Sequence, residues 1–149
     1  MHKFTIPILS LILLAFDLAT KWLAREYFSA PREIVPAFFR FKLSYNPGVA
    51  FSIPIPNGVM LFATPLLLFA VSYVIFRSLK IEHRVTKIIL ALFVAGGLGN
   101  FINRIWTGAV IDFLDFSFWP SFNLADSYLT IAAFLLIAFY GKINKTSYG

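Results

Sequence analysis

The chain of 149 residues contains no cysteine and only 2 histidines. Without cysteine it has neither disulfides nor a thiolate nucleophile. His2 and His83 lie in polar stretches away from the acidic residues, which argues against a histidine metal site or a serine–histidine triad. We therefore expect no metal and no cofactor.

Charged residues are also scarce, at 13% of the chain, which is about half the usual share of a soluble domain. Hydrophobic residues make up 59%, and the mean hydropathy is +0.79. This composition predicts a single integral membrane domain over residues 1–149. The net charge of +6 fits membrane topology and contact with anionic lipid better than nucleic-acid binding.

Four apolar segments approach the length of about 20 residues that a spanning helix needs. They are residues 4–23, 59–76, 88–105 and 124–140. The first exceeds signal-peptide length and has no small-residue cleavage site, so we interpret it as a retained helix. The predicted fold class is an all-α membrane protein with four transmembrane helices.

The short linker 77–87 carries four cations, Arg77, Lys80, Arg84 and Lys87. The positive-inside rule places such a loop in the cytoplasm. With four spans, both termini are then cytoplasmic, together with Lys3, Lys142 and Lys145. The outer loops are residues 24–58 and 106–123.

The first outer loop contains an alternating segment, in which Phe39, Phe41 and Leu43 are separated by polar residues. A period of two predicts a half-buried strand, and proline and glycine turns flank it. We expect a small extracytoplasmic β-element on the membrane surface. The second outer loop is rich in aromatic residues, which is typical of the membrane interface.

Polar residues converge on the outer ends of the predicted helices. Asp17 and Lys21 share one face of the first helix because they are spaced i,i+4. The other converging residues are Asn46, Gly96, Gly97, Gly99, Asn100, Asn103, Arg104, Asp112, Asn123 and Asp126. Because intramembrane acids are costly, their clustering predicts a functional site at the outer membrane boundary.

Structural explanations compete for several of these residues. Asp17 and Lys21 could be a neutralised pair that anchors the helix end, and Asn123 could be an N-cap with Asp126 in the first turn. The three glycines suit close helix packing. Arg104 suits either a snorkelling interface residue or a carboxylate partner.

Two carboxylates that share a water can hydrolyse a peptide bond without serine, cysteine or metal. Held close together they do not both ionise, so one acts as the base on water and the other donates a proton. Chemistry nominates Asp126 with either Asp112 or Asp115. We interpret Asp115 as a solvated loop acid.

Five segments in order resemble the lipoprotein signal peptidases, the bacterial type II signal peptidases. The segments are Asp17-Leu-Ala-Thr-Lys21, Asn46-Pro-Gly-Val-Ala-Phe-Ser52, Gly96-Gly-Leu-Gly-Asn100 with Arg104, Gly108-Ala-Val-Ile-Asp112-Phe113, and Phe122-Asn-Leu-Ala-Asp126-Ser127. Each is weak alone, but all five on a four-helix chain of this length make a strong match.

The resemblance implies an aspartyl endopeptidase of the bacterial inner membrane, with Asp112 and Asp126 as its catalytic dyad. It implies site-supporting positions at Asn46, Gly48, Asn100, Arg104, Asn123, Asp17 and Lys21. The implied substrate is a diacylglyceryl-modified prolipoprotein, cut just before the lipidated cysteine at the outer face. We expect a monomer in contact with membrane lipid.

Two positions depart from the family pattern. Asn103 stands where the family usually has aspartate, and an amide cannot form an ion pair with Arg104. Val49 stands where alanine is common. There are two alternatives to an active peptidase. A proton-coupled carrier would need charged residues along a path through the whole membrane, and the inner halves of the predicted helices are nearly free of them. An inactive homologue would more readily lose a dyad aspartate, and both are present.

Overall fold

A computed structural model describes residues 4–48 and 55–146, and in these ranges the chain forms four helices and four strands. The helices are α1 (Thr5–Tyr27), α2 (Asn57–Ser78), α3 (Arg84–Thr107) and α4 (Leu124–Ile143). All four are long and apolar enough to cross a membrane. The four predicted membrane helices are therefore confirmed, and each extends past at least one end of its predicted range.

Helix α3 forms the centre of the bundle. It packs against α1, α2 and α4, and most of it is buried inside the protein. By contrast, α2 packs mainly against α3, and its apolar surface is almost entirely exposed, as suits a helix in lipid. The polar residues of α3 therefore lie where side chains from the other elements can reach them.

Two glycines of α3 allow its neighbours to approach closely. A Cβ atom at Gly96 would lie 2.6 Å from the backbone oxygen of Ala125, and one at Gly99 would overlap the Oδ2 atom of Asp17. Small residues allow this close approach between membrane helices. The packing role predicted for these glycines is confirmed, and it brings Asp17 against α3.

The strands form one antiparallel sheet in the order β1-β2-β3-β4. They are β1 (Arg32–Val35), β2 (Phe39–Asn46), β3 (Val110–Phe116) and β4 (Trp119–Phe122). The strand predicted in the first outer loop is present as β2. However, the second outer loop is more than an aromatic belt, because it supplies β3 and β4. Its β-branched and aromatic residues favour strands, and this signal was missed.

The sheet lies at the end of the bundle where α1 and α3 end and where α2 and α4 begin. Leu43 N–H donates to Phe28 O at the end of α1, and Ala24 packs with Ile111 and Phe113 in a small core beneath the sheet. At the opposite end, Lys145 N–H donates to Ser78 O. The basic linker and the end of α4 are therefore neighbours.

Candidate active site

All nine residues predicted for the site belong to one hydrogen-bonded network. They come from α1, α3, α4, β2 and β3 and from the turn after β2. They are Asp17, Lys21, Asn46, Gly48, Asn100, Arg104, Asp112, Asn123 and Asp126. Most of these side chains are buried. The structure therefore brings all of the predicted site residues together and shows how they are connected.

Asn123 connects the two candidate catalytic acids. It is the N-cap of α4, and its Oδ1 accepts from the backbone N–H of Asp126 at 3.0 Å. Its Nδ2 donates to Asp112 Oδ1 at 2.6 Å, while its own backbone N–H donates to Asp126 Oδ2 at 3.2 Å. The predicted N-cap is confirmed, but the same side chain also holds Asp112 beside the start of α4.

Asp112 lies on β3, and its side chain is only 2% exposed. Its second oxygen accepts from Asn46 Nδ2 at 3.2 Å, and Asn46 Oδ1 accepts in turn from Gly48 N–H at 3.0 Å. Burial, and then the negative charge of Asp126, raise the pKa of Asp112 to about 7. The donors on Asn123 and Asn46 act in the opposite direction but do not cancel this rise.

Asp126 lies in the first turn of α4, and a chain of hydrogen bonds links it to Asn100, Lys21 and Asp17. Its Oδ1 accepts from Asn100 Nδ2 at 2.8 Å, and Asn100 Oδ1 accepts from Lys21 Nζ at 2.9 Å. Lys21 also pairs with Asp17 at 2.8 Å. Anchoring of the helix end alone does not account for the Asp17–Lys21 pair, because Lys21 also binds a residue that touches Asp126.

Arg104 contributes to the network through backbone carbonyls. Its Nη2 donates to Gly48 O at 2.8 Å, and its Nη1 lies 3.5 Å from Asn100 O. The residue is only 6% exposed. The expectation that Arg104 either snorkels to the interface or pairs with a carboxylate is therefore wrong. Instead it ties the turn after β2 to α3.

Asn103, the departure from the family pattern, has a structural role of its own. It is 4% exposed, and its Oδ1 accepts from the backbone N–H of Ile111 at 2.9 Å. This bond joins α3 to β3 immediately before Asp112. The second departure, Val49, lies outside the described residues.

Asp115 is not a solvated loop acid, which corrects the sequence interpretation. It lies on β3, is 9% exposed, and accepts hydrogen bonds from Arg40 and from Ser121 Oγ. Although burial alone would raise the pKa of Asp115, these donors hold it below its usual value. Because side chains alternate along a strand, Asp112 and Asp115 point to opposite faces.

A cavity of about 680 Å³ adjoins the network. Asp112 and Asp126 both line it, together with the apolar residues Met60 of α2 and Leu129 and Ile131 of α4. Sequence reasoning missed these apolar residues, because nothing in a uniformly apolar helix marks the side that faces a cavity. Within residues 4–48 and 55–146, no group of three or more His, Cys, Asp or Glu could hold a metal ion.

Comparison with known proteins identifies the family. The family model for signal peptidase (SPase) II matches residues 9–141. The chain belongs to the signal peptidase II family. The motifs therefore predicted the family correctly, along with its class, a membrane protease.

Individual relatives agree with this assignment to signal peptidase II. The lipoprotein signal peptidase of Francisella tularensis subsp. novicida (strain U112) is 38% identical over 143 residues, covering 88% of each chain. That of Moorella thermoacetica is 35% identical over 133 residues, covering 87% of each. A solved bacterial membrane enzyme matches 95% of this chain and 96% of its own, with a TM-score of 0.80 and 29% identity. The predicted four-helix membrane fold is confirmed.

Proposed function

We propose that this signal peptidase II removes the signal peptide from prolipoproteins whose lipobox cysteine carries diacylglycerol, and that it cuts just before that cysteine. Asp112 and Asp126 are the proposed catalytic dyad. The observation that carries the proposal is that both carboxylates bind one residue, Asn123, and line one cavity. Names of the curated relatives support the substrate class.

The proposed reaction is hydrolysis of a peptide bond by a water held between the two acids. Asp126 takes a proton from the water, whose oxygen attacks the scissile carbonyl carbon. Asp112 gives its proton to the carbonyl oxygen, which forms a tetrahedral intermediate. The intermediate collapses as the C–N bond breaks and the carbonyl re-forms. One hydroxyl proton returns to Asp112, and the leaving nitrogen takes the proton held by Asp126.

The surroundings of the two acids support these separate roles. Asp112 is almost completely buried, and its pKa of about 7 lets it hold a proton at neutral pH. Asp126 accepts hydrogen bonds from the N–H groups of Asn100 and Asn123 at the first turn of α4. Pairs of acids whose surroundings differ in this way divide the acid and base roles.

The architecture suits a lipid-bearing substrate at the outer membrane boundary. The basic linker 77–87 favours a cytoplasmic location for the far end of the bundle and for both termini. The cavity then faces the outer leaflet of the bacterial inner membrane, where α2 and α4 supply apolar walls for lipid and signal helix. We also propose that the enzyme acts as a monomer.

The pH dependence of cleavage tests the proton assigned to Asp112. Since the pKa of this carboxyl is raised to about 7, its proton is present below that pH and is lost above it. Charged groups that face it are Asp126 on α4, Lys21 on α1 and Arg104 on α3. We expect kcat/KM to fall as pH rises through about 7. A flat profile from about pH 6 to about pH 9, with the protein folded throughout, would contradict this assignment.

A cleavage assay in detergent tests the proposed function. The substrates are one diacylglyceryl-modified prolipoprotein and its unlipidated form, followed by gel shift and by sequencing of the new amino terminus. We expect cleavage of the lipidated form alone, immediately before the modified cysteine. Equal cleavage of both forms would remove the lipid requirement, and no cleavage by folded protein would favour an inactive homologue.

A further inference from the structure

We infer that Lys21 is a positioning residue for the proposed reaction, and that it acts by fixing the orientation of the Asn100 side-chain amide against Asp126. The inference rests on the proposed role of Asp126 as the base. It extends that role to a lysine that does not line the cavity and is only 1% exposed.

The two ends of the Asn100 amide have different partners. Its Nδ2 donates to Asp126 Oδ1 at 2.8 Å, and its Oδ1 accepts from Lys21 Nζ at 2.9 Å. An amide carbonyl accepts hydrogen bonds and the NH₂ group donates them, whereas an ammonium only donates. If the amide turned over, NH₂ would face the ammonium and the carbonyl would face the carboxylate. Lys21 therefore permits only the orientation that gives Asp126 a donor.

Asp17 holds Lys21 in the position that this requires. Its Oδ2 accepts from Lys21 Nζ at 2.8 Å, and its Oδ1 accepts from Ala125 N–H at 2.9 Å, one residue before Asp126. Gly99 leaves the space that Asp17 occupies, because a side chain there would overlap the carboxylate. The Asp17–Lys21 pair is thus hydrogen-bonded to Asn100 through Lys21, and to the backbone next to Asp126 through Asp17.

The test replaces both charges together. Removing Lys21 alone would leave Asp17 buried without its cation, and an uncompensated buried charge is strongly destabilising. The variant Asp17→Asn/Lys21→Met removes the ammonium and retains an oxygen that can accept from Ala125 N–H. Asn100→Leu removes the amide, and combining all three substitutions completes a double-mutant cycle. Asn100→Asp is the matched variant, because it keeps an acceptor for Lys21 but loses the donor to Asp126.

The measurement is kcat and KM for cleavage of a diacylglyceryl-modified prolipoprotein, with the thermal unfolding midpoint of each variant in detergent. We expect Asp17→Asn/Lys21→Met and Asn100→Leu each to lower kcat about tenfold. KM should change less than about twofold in Asp17→Asn/Lys21→Met, because Lys21 does not line the cavity, whereas Asn100 does. In the Asn100→Leu background, adding Asp17→Asn/Lys21→Met should change kcat by less than about twofold. Asn100→Asp should lose at least as much kcat as Asn100→Leu, because it loses the donor and also places a second carboxylate against Asp126.

Two results would overturn the inference. Wild-type kcat in Asp17→Asn/Lys21→Met would show that the amide needs no ammonium to orient it. Losses that multiply in the combined variant would show that Lys21 acts independently of Asn100, either through its charge or through stability. Failure of the proposed function looks different, because Asp126→Asn would then remain active or the wild-type protein would not cleave the substrate.

Discussion

Replacing either Asp112 or Asp126 with asparagine should lower the cleavage rate about a thousandfold or more, since each variant loses a group that transfers a proton. Asparagine has nearly the same size as aspartate and keeps one oxygen that can accept a hydrogen bond. The Asn123 amide at Asp112 and the Asn100 amide at Asp126 can therefore retain an acceptor. The thermal unfolding midpoint should stay close to that of the wild-type protein. The measurement is the initial rate on a diacylglyceryl-modified prolipoprotein.

Asp115 provides the matched control for this experiment. It lies three residues after Asp112 on the same strand, but its carboxylate binds Arg40 and Ser121 on the opposite face. Asp115→Asn should keep most of the activity. If Asp112→Asn or Asp126→Asn stays within about tenfold of the wild-type rate, that residue is not part of the dyad.

The second large effect is expected at Asn103, where leucine should lower kcat about a hundredfold and also reduce stability. The Ile111 N–H would lose its acceptor in a buried position, and an unpaired buried donor is costly. The start of β3 would then shift, and Asp112 with it. Activity and the unfolding midpoint of purified Asn103→Leu protein measure the two consequences.

Asn103→Asp separates the hydrogen bond from the charge. A carboxylate at this position can still accept from Ile111 N–H, so β3 should stay in place and activity should be similar or modestly higher. A sharp loss in Asn103→Asp would show that this chain has rebuilt its site around the amide. Equal, wild-type activity in the aspartate and leucine variants would show instead that the Ile111 bond does not position Asp112.

The helices could be predicted from the sequence because lipid leaves the chain few choices. A spanning segment must satisfy its backbone hydrogen bonds internally and present apolar side chains to the membrane, and both requirements are visible as long apolar runs. The sheet was only partly predictable. Strand β2 alternates apolar and polar residues, whereas the aromatic residues around β3 and β4 suit an interface belt as well as a strand.

For the candidate site, the sequence predicted which residues converge but not how they contact one another. Antiparallel helices bring residues 17, 100 and 126 to one end, which follows from the number of spans. Asn123 binds both carboxylates, and Arg104 binds backbone carbonyls rather than an acid. These contacts depend on the directions of the side chains, which cannot be read from the spacing of residues in the sequence. The burial of Asp115 depends on pairing with Arg40, 75 positions away.

The start of α4 donates hydrogen bonds to two acids on other elements, Asp17 on α1 and Asp112 on β3. These bonds can form only late in biosynthesis, after the fourth helix has been made. Asp17 leaves the ribosome long before Ala125, and Asp112 before Asn123. Until the fourth helix enters the bilayer, both acids lack these partners at a membrane boundary where unpaired charge is costly. The hydrogen bonds that Asp17 and Asp112 gain from Ala125 and Asn123 favour packing of α4 against the other helices. The same step brings Asp126 into the site. If Asp112 and Asp126 are the dyad, a chain whose fourth helix has not yet inserted lacks Asp126 at the site and cannot hydrolyse a peptide bond. Insertion of the fourth helix therefore completes both the fold and the active site.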